Sequence, residues 1–259
     1  MPSKESERAV SSALESEGFE VVHISEGEEL TPDFLATIND EKYLIEVKTR
    51  EDDPHLFPEW KNRLSRGEIV SSGMSYTYQT KMLKIIRHGI KQLSTHRTDD
   101  HDFSILWLLA TGYDPRAQYE QFLATIFGTT YVKGPDRGGL TKCYYFHHSE
   151  FFRAQGDLDG AILSTESHGQ LCINSYSPRA EDLKTSSLAK VFSPAIVDPL
   201  EDESKGLVYI ADFEGDRNDE QATLRKLAEK YERTMLMKMD IGSFHAFAKL
   251  PTEAGDDRT

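Results

Sequence analysis

With 259 residues and a formal net charge of −14, the chain is long enough for a substantial core and too acidic to attract a polyanion over its whole surface. Its 38% hydrophobic content is that of a globular protein, and no apolar run approaches the length of a membrane span, which excludes a helical membrane protein. Cys143 and Cys172 are the only cysteines and form no CxxC pair, so neither a disulfide framework nor a zinc knuckle is encoded. The polar N-terminus reads as neither signal nor transit peptide, and a cytoplasmic location is expected.

The first predicted element is a helix. Ala9, Val10, Ala13 and Leu14 fall at helical spacing, Ser3 is the expected N-cap, and Gly18 is placed to stop the helix. Phe19, Val21 and Val22 then open a strand. Next comes a hairpin: Phe34, Ala36 and Ile38 alternate with Leu35 and Thr37, Asn39-Asp40 supplies the turn, and Tyr43, Ile45 and Val47 alternate with Leu44, Glu46 and Lys48. Antiparallel pairing brings Asp33, just ahead of the hairpin, toward Glu46 and Lys48 near one end of the sheet. Two carboxylates and one ammonium at a strand end suit metal-assisted phosphodiester hydrolysis. The carboxylates offer hard oxygen ligands to Mg²⁺, and the lysine can position a water or stabilise phosphorane charge.

Pro32-Asp33 followed by Glu46-Val47-Lys48 on the adjacent strand resembles the PD-(D/E)XK nuclease superfamily. A second Pro-Asp pair, Pro135-Asp136, and four other acid-x-Lys triplets occur, but only Asp33 and Glu46 combine suitable spacing with a strand-turn-strand context. The resemblance implies a restriction-endonuclease-like α/β fold, a central mixed sheet flanked by helices. It implies that Asp33 and Glu46 bind Mg²⁺ (with Mn²⁺ able to substitute), that the Val47 carbonyl is a further ligand, and that Lys48 is the catalytic lysine. In junction-resolvase-like and restriction-like members a glutamate of the first helix joins the site, and counting back from Gly18 points to Glu7. Glu7 reads equally well as a first-turn acid that complements the helix dipole.

Residues 51–75 read as a long loop or insertion, with Trp60 set among Lys61, Arg63 and Arg66. Trp60 and Arg63 are candidates for contacting a base and a phosphate, and Trp60 equally for pinning the loop to the core. A helix is predicted from Tyr76 to Thr95 with a stripe of Met82, Ile85, Ile86, Ile90 and Leu93. In the superfamily the helix after the lysine-bearing strand often supplies a polar group near the metal, which makes Gln79 and Lys81 candidates. Between residues 48 and 97 ten cations stand against five anions, so this basic stretch can steer DNA while the remainder carries −19.

Phe103–Ala110 is almost continuously apolar, as a central strand buried on both faces should be. A helix around Ala117 to Phe127 and a strand from Cys143 to His147 close an expected nuclease-like domain of residues 1–150. Residues 151–259 read as an α+β extension. It comprises a hairpin around Ser167-His168-Gly169, a helix from Pro178 to Phe192, an acidic linker over 193–205, a strand from Gly206 to Asp212, a helix from Glu220 to Glu232, and a strand pair from Met235 to Leu250. The last five residues, GDDRT, should fray.

The expected function is a metal-dependent endonuclease acting on DNA rather than RNA, in restriction, phage defence, repair or recombination. A homodimer would supply the two sites a double-strand cut needs. The alternative is a non-catalytic or partner-activated module of the same fold that binds a protein through its acidic surface.

Overall fold

The structure is a computed structural model that describes residues 2–25, 30–98, 100–135, 139–165 and 168–249, with only the backbone of Pro2 and Ser3. The side chain of Ser3, Asp136, Ser167, Leu250 and the C-terminal GDDRT lie outside the described residues. Helix α1 (Pro2–Ser16) starts one residue before the expected cap. It closes in a Schellman arrangement: Gly18 takes φ +89° and the Phe19 N–H donates to the Leu14 carbonyl at 3.1 Å.

Strands β1 (Glu20–His23), β2 (Phe34–Ile38) and β3 (Glu41–Arg50) form an antiparallel meander. Asn39 and Asp40 both take positive φ (50° and 66°), the backbone of a type I′ two-residue turn, and this fixes Phe34 opposite Ile45.

The long loop expected over 51–75 is instead helix α2 (Leu56–Ser65) and strand β4 (Val70–Ser75). Two remote partners order it. Trp60 is buried with ring centroids 5.0 Å from both Tyr113 and Phe247, and β4 pairs along its length with Gly242–Phe247. Helix α3 (Thr80–Thr95) starts later than the expected Tyr76 because Gln79, its N-cap, is extended. Strand β5 (Phe103–Ala110) and helix α4 (Pro115–Ile126) follow; α4 is capped by Asp114, which accepts the Ala117 N–H at 2.9 Å.

Strand β6 (Thr130–Lys133) was not apparent in the sequence, and β7 (Thr141–Tyr144) stops short of the expected His147 because Tyr145 takes φ +59°. Helix α5 (Glu150–Arg153) leads to the hairpin β8 (Gly160–Ser164) and β9 (Gly169–Ile173). The single helix expected over 178–192 is split into α6 (Ala180–Thr185) and α7 (Ser187–Val191). Ser186 breaks it with extended backbone and caps α7 by accepting the Ala189 N–H at 3.3 Å. Within the expected linker lie β10 (Ile196–Val197) and α8 (Pro199–Ser204). Strand β11 (Tyr209–Ile210), helix α9 (Glu220–Lys230), β12 (Met237–Met239) and β13 (Gly242–Phe247) complete the chain. The last two strands do not pair with each other: β12 joins β6 and β13 joins β4.

Seven strands make the main sheet, in the order β1-β2-β3-β5-β8-β9-β10, with β3, β5 and β8 parallel at its centre. It runs across the boundary expected near residue 150, since residues 160–197 supply its last three strands. Alternation along each strand separates two cores. Phe34, Ala36, Tyr43, Ile45, Val47, Ile105 and Trp107 cluster with Val10 and Leu14 of α1. Leu44, Leu106 and Leu108 cluster instead with Met82, Ile86 and Leu93 of α3 and Phe122 and Ile126 of α4. By the same alternation Glu46 and Lys48 fall on the α3 face.

Candidate active site

Asp33 stands just before β2 and is held there by its backbone. Its N–H donates to the Ile45 carbonyl at 3.1 Å and its carbonyl accepts the Ile24 N–H at 3.0 Å. Its Oδ2 accepts the Val47 N–H at 2.7 Å. In an extended strand the carbonyl of a residue points to the same edge as its N–H, so the Val47 carbonyl opens beside the Asp33 carboxylate, where β2 has ended.

Glu46 is fully buried, and its Oε1 pairs with the Lys48 ammonium. Its Oε2 is also buried and has no hydrogen-bond partner among the described residues. Burial pushes the Glu46 carboxyl up to about 8; Lys48 opposes the rise and the Asp33 charge adds to it. Burial raises the Asp33 carboxyl as well, against the pull of the Val47 N–H and of Lys48.

Helix α3 crosses this group at Gly89. A Cβ there would stand 2.5 Å from Leu106 Cδ1, 3.3 Å from Lys48 Cγ and 3.4 Å from Glu46 Cγ, so glycine is what allows the helix to lie over the charged pair. One turn on, Gln92 is nearly buried, and its Nε2 donates to the Thr31 carbonyl at 2.7 Å. Asp33, Gln92 and Glu7 line one cavity of about 450 Å³, together with Lys4, Arg8 and His23.

Residues 3–59, which hold α1 and the meander with Glu7, Asp33, Glu46 and Lys48, match the family model for archaeal Holliday junction resolvase. This segment belongs to the PD-(D/E)XK superfamily. No curated protein and no solved structure matches the chain. The PD-(D/E)XK segment is less than a quarter of the chain, and the mixed sheet with helices on both faces that it opens is a restriction-endonuclease-like fold.

Within this PD-(D/E)XK core the structure gathers Asp33, Glu46, the Val47 backbone and Lys48, and it turns Glu7 toward the same cavity as Asp33. The other candidates lie elsewhere. Gln79 caps α3 and Lys81 follows it, about 12 Å along the axis from Gly89 at 1.5 Å per residue. Trp60 has its faces taken by Phe57, Tyr113 and Phe247, and Arg63 pairs with Glu68 at 3.0 Å. What α3 brings near the site is Gly89 and Gln92. Both carried a signal in the sequence: an isolated glycine inside a helical pattern, and an amide on the apolar stripe.

Among the described residues no three His, Cys, Asp or Glu side chains form a closed cation cage, nor is any helix long and apolar enough to cross a membrane. The donors fit Mg²⁺ nonetheless. That ion retains several waters and needs only one or two carboxylates, and Glu46 Oε2 is a buried hard oxygen with no donor among the described residues, on a carboxylate that faces Asp33.

Proposed function

We propose that the protein is a divalent-metal-dependent nuclease that hydrolyses DNA phosphodiester bonds, with branched DNA among its substrates. The observation that supports this best is the half-buried Asp33 set against the fully buried Glu46 and beside Lys48, inside the segment that matches the resolvase family.

Asp33 and Glu46 would hold Mg²⁺, or Mn²⁺ in its place, with the Val47 carbonyl as third ligand and Glu7 reaching in from α1. Bound there, the ion supplies a lowered pKa for an attacking water and neutralises charge on the phosphate. Glu46 divides its labour between its oxygens: Oε1 orients Lys48 and Oε2 remains for the cation. Lys48 then presents its ammonium to the non-bridging phosphate oxygen or to the incoming water. Gly89 and Leu106 close the other side, which keeps the pair dry and strengthens these interactions.

Lys48→Ala tests the division of roles. Calorimetry should show Mg²⁺ binding retained, while single-turnover cleavage of DNA falls by about 10²–10³-fold. Loss of metal affinity in step with turnover would contradict the roles given to Glu46 and Lys48. The acidity of the chain outside residues 48–97 favours a second reading, a protein-binding module, under which wild type binds the metal and cleaves nothing.

A further inference from the structure

Beyond Lys48 on the same face of β3 stands Arg50, about 6.6 Å further along the strand at 3.3 Å per residue. Its position is odd for an arginine. The Nε and Nη1 atoms are buried and neither has a hydrogen-bond partner among the described residues. The acid whose charge bears on it, Asp52, is already engaged: its Oδ2 accepts the Tyr113 N–H at 2.7 Å and its Oδ1 accepts Gln118 Nε2 at 3.4 Å. The strand holds the backbone in place, since Arg50 lies opposite Ala110 of β5 and its carbonyl accepts Thr111 Oγ1 at 3.2 Å. Arg50 as a whole is half-buried, but two guanidinium donors drawn out of water and left without acceptors are costly, and an incoming anion relieves that cost.

We infer that Arg50 is a phosphate-binding residue of the nuclease site, its guanidinium taking the non-bridging oxygens of a backbone phosphate next to the one presented to Lys48. This rests on the nuclease reading and adds to it a group that nothing in the Asp-Glu-Lys pattern requires. The planar fork of arginine matches two phosphate oxygens, which a point charge on a flexible stem does not. The strip Glu46, Lys48, Arg50 thus runs from the metal-binding end of β3 to a cationic end, and it orients the substrate backbone along the strand.

The test is DNA binding by the full chain in EDTA, so that nothing is cut, over a salt series, with a labelled duplex and a labelled four-way junction. Arg50→Gln should lower the slope of log K against log salt by about 0.9, the value of one phosphate contact, and weaken binding roughly tenfold at 0.1 M salt. Arg50→Lys should restore the slope and only part of the affinity. Inorganic phosphate should raise the melting temperature of wild type more than that of Arg50→Gln, which shows the anion site independently of DNA. Wild-type binding with an unchanged slope in Arg50→Gln overturns the role of Arg50 and leaves the nuclease reading intact. Failure of wild type to bind or cleave any DNA overturns both. Should Arg50→Gln melt far below wild type, Arg50→Lys decides: an unaltered fold with unaltered affinity contradicts the forked contact.

Discussion

Glu46 is where the chemistry and the stability of this protein meet. Its carboxyl is held near 8 by burial, against an ordinary value of 4.5, so between those values the folded chain keeps a proton that the unfolded chain has released. Stability without metal must therefore fall as pH rises from about 5 to 8, because there the unfolded state binds fewer protons than the native one. In EDTA the melting temperature of wild type should drop across that window, while Glu46→Gln, which has nothing to ionise, should drop less and melt higher than wild type at pH 8. A wild-type curve that rises with pH while Glu46→Gln stays flat would mean that Lys48 outweighs burial. The same proton competes with a cation, so metal binding below pH 8 should release protons.

At the scale of the element, helix α3 has to come close to β3 for the site to be dry, and Gly89 is what permits it. Glycine within a helix costs about 1 kcal/mol relative to alanine, so Gly89→Ala should be stabilising on helix propensity alone. Against that stands the contact of 2.5 Å with Leu106 Cδ1 and the crowding of Lys48 and Glu46, an overpacking cost of about 1–3 kcal/mol. The expected result is a lower melting temperature together with slower cleavage; a higher melting temperature with cleavage unchanged would show that α3 does not press on the pair. The hairpin that holds the site was legible in the sequence because its signals are local: alternating side chains on both strands and Asn39-Asp40 between them. The identity of α2 and β4 was not. Ser71, Gly73 and Ser75 carry little strand propensity, and β4 forms because β13 lies beside it from the far end of the chain. The sequence points to Gln79 and Lys81, at the start of α3, as the polar groups this helix offers. The deciding factor was which turn crosses β3, and that depends on packing.

Over the whole molecule, the sheet joins segments from both halves of the chain. β5 lies between β3 and β8, so a fragment of residues 1–150 would leave the central strand as a bare edge with apolar faces. Such a fragment should aggregate and lack dispersed amide resonances; a folded, active fragment would contradict the single-sheet description. No motif after residue 150 resembles the superfamily, and the sequence therefore reads there as an extension. The pairing of β8 with β5 is a long-range contact between ordinary apolar strands, and apolar composition alone does not specify the neighbour. The charge distribution belongs to this scale as well. A surplus of +5 over residues 48–97 in a chain of −14 makes the stretch that begins at Lys48 the part of the sequence whose charge favours a polyanion, and binding should weaken steeply with salt.

The most direct measurement is cleavage of a four-way DNA junction beside linear duplex, single-stranded DNA and RNA, each with Mg²⁺, Mn²⁺ or EDTA, using wild type and Asp33→Ala. The expected result is metal-dependent cutting of DNA by wild type, with the junction cut at least as well as the linear duplex. Asp33→Ala should give none, although it retains its fold at a cost of about 1 kcal/mol for the unpaired Val47 N–H. DNA cleavage that persists in Asp33→Ala, or a folded wild type that binds metal and cuts none of the substrates, would contradict the assignment of this site.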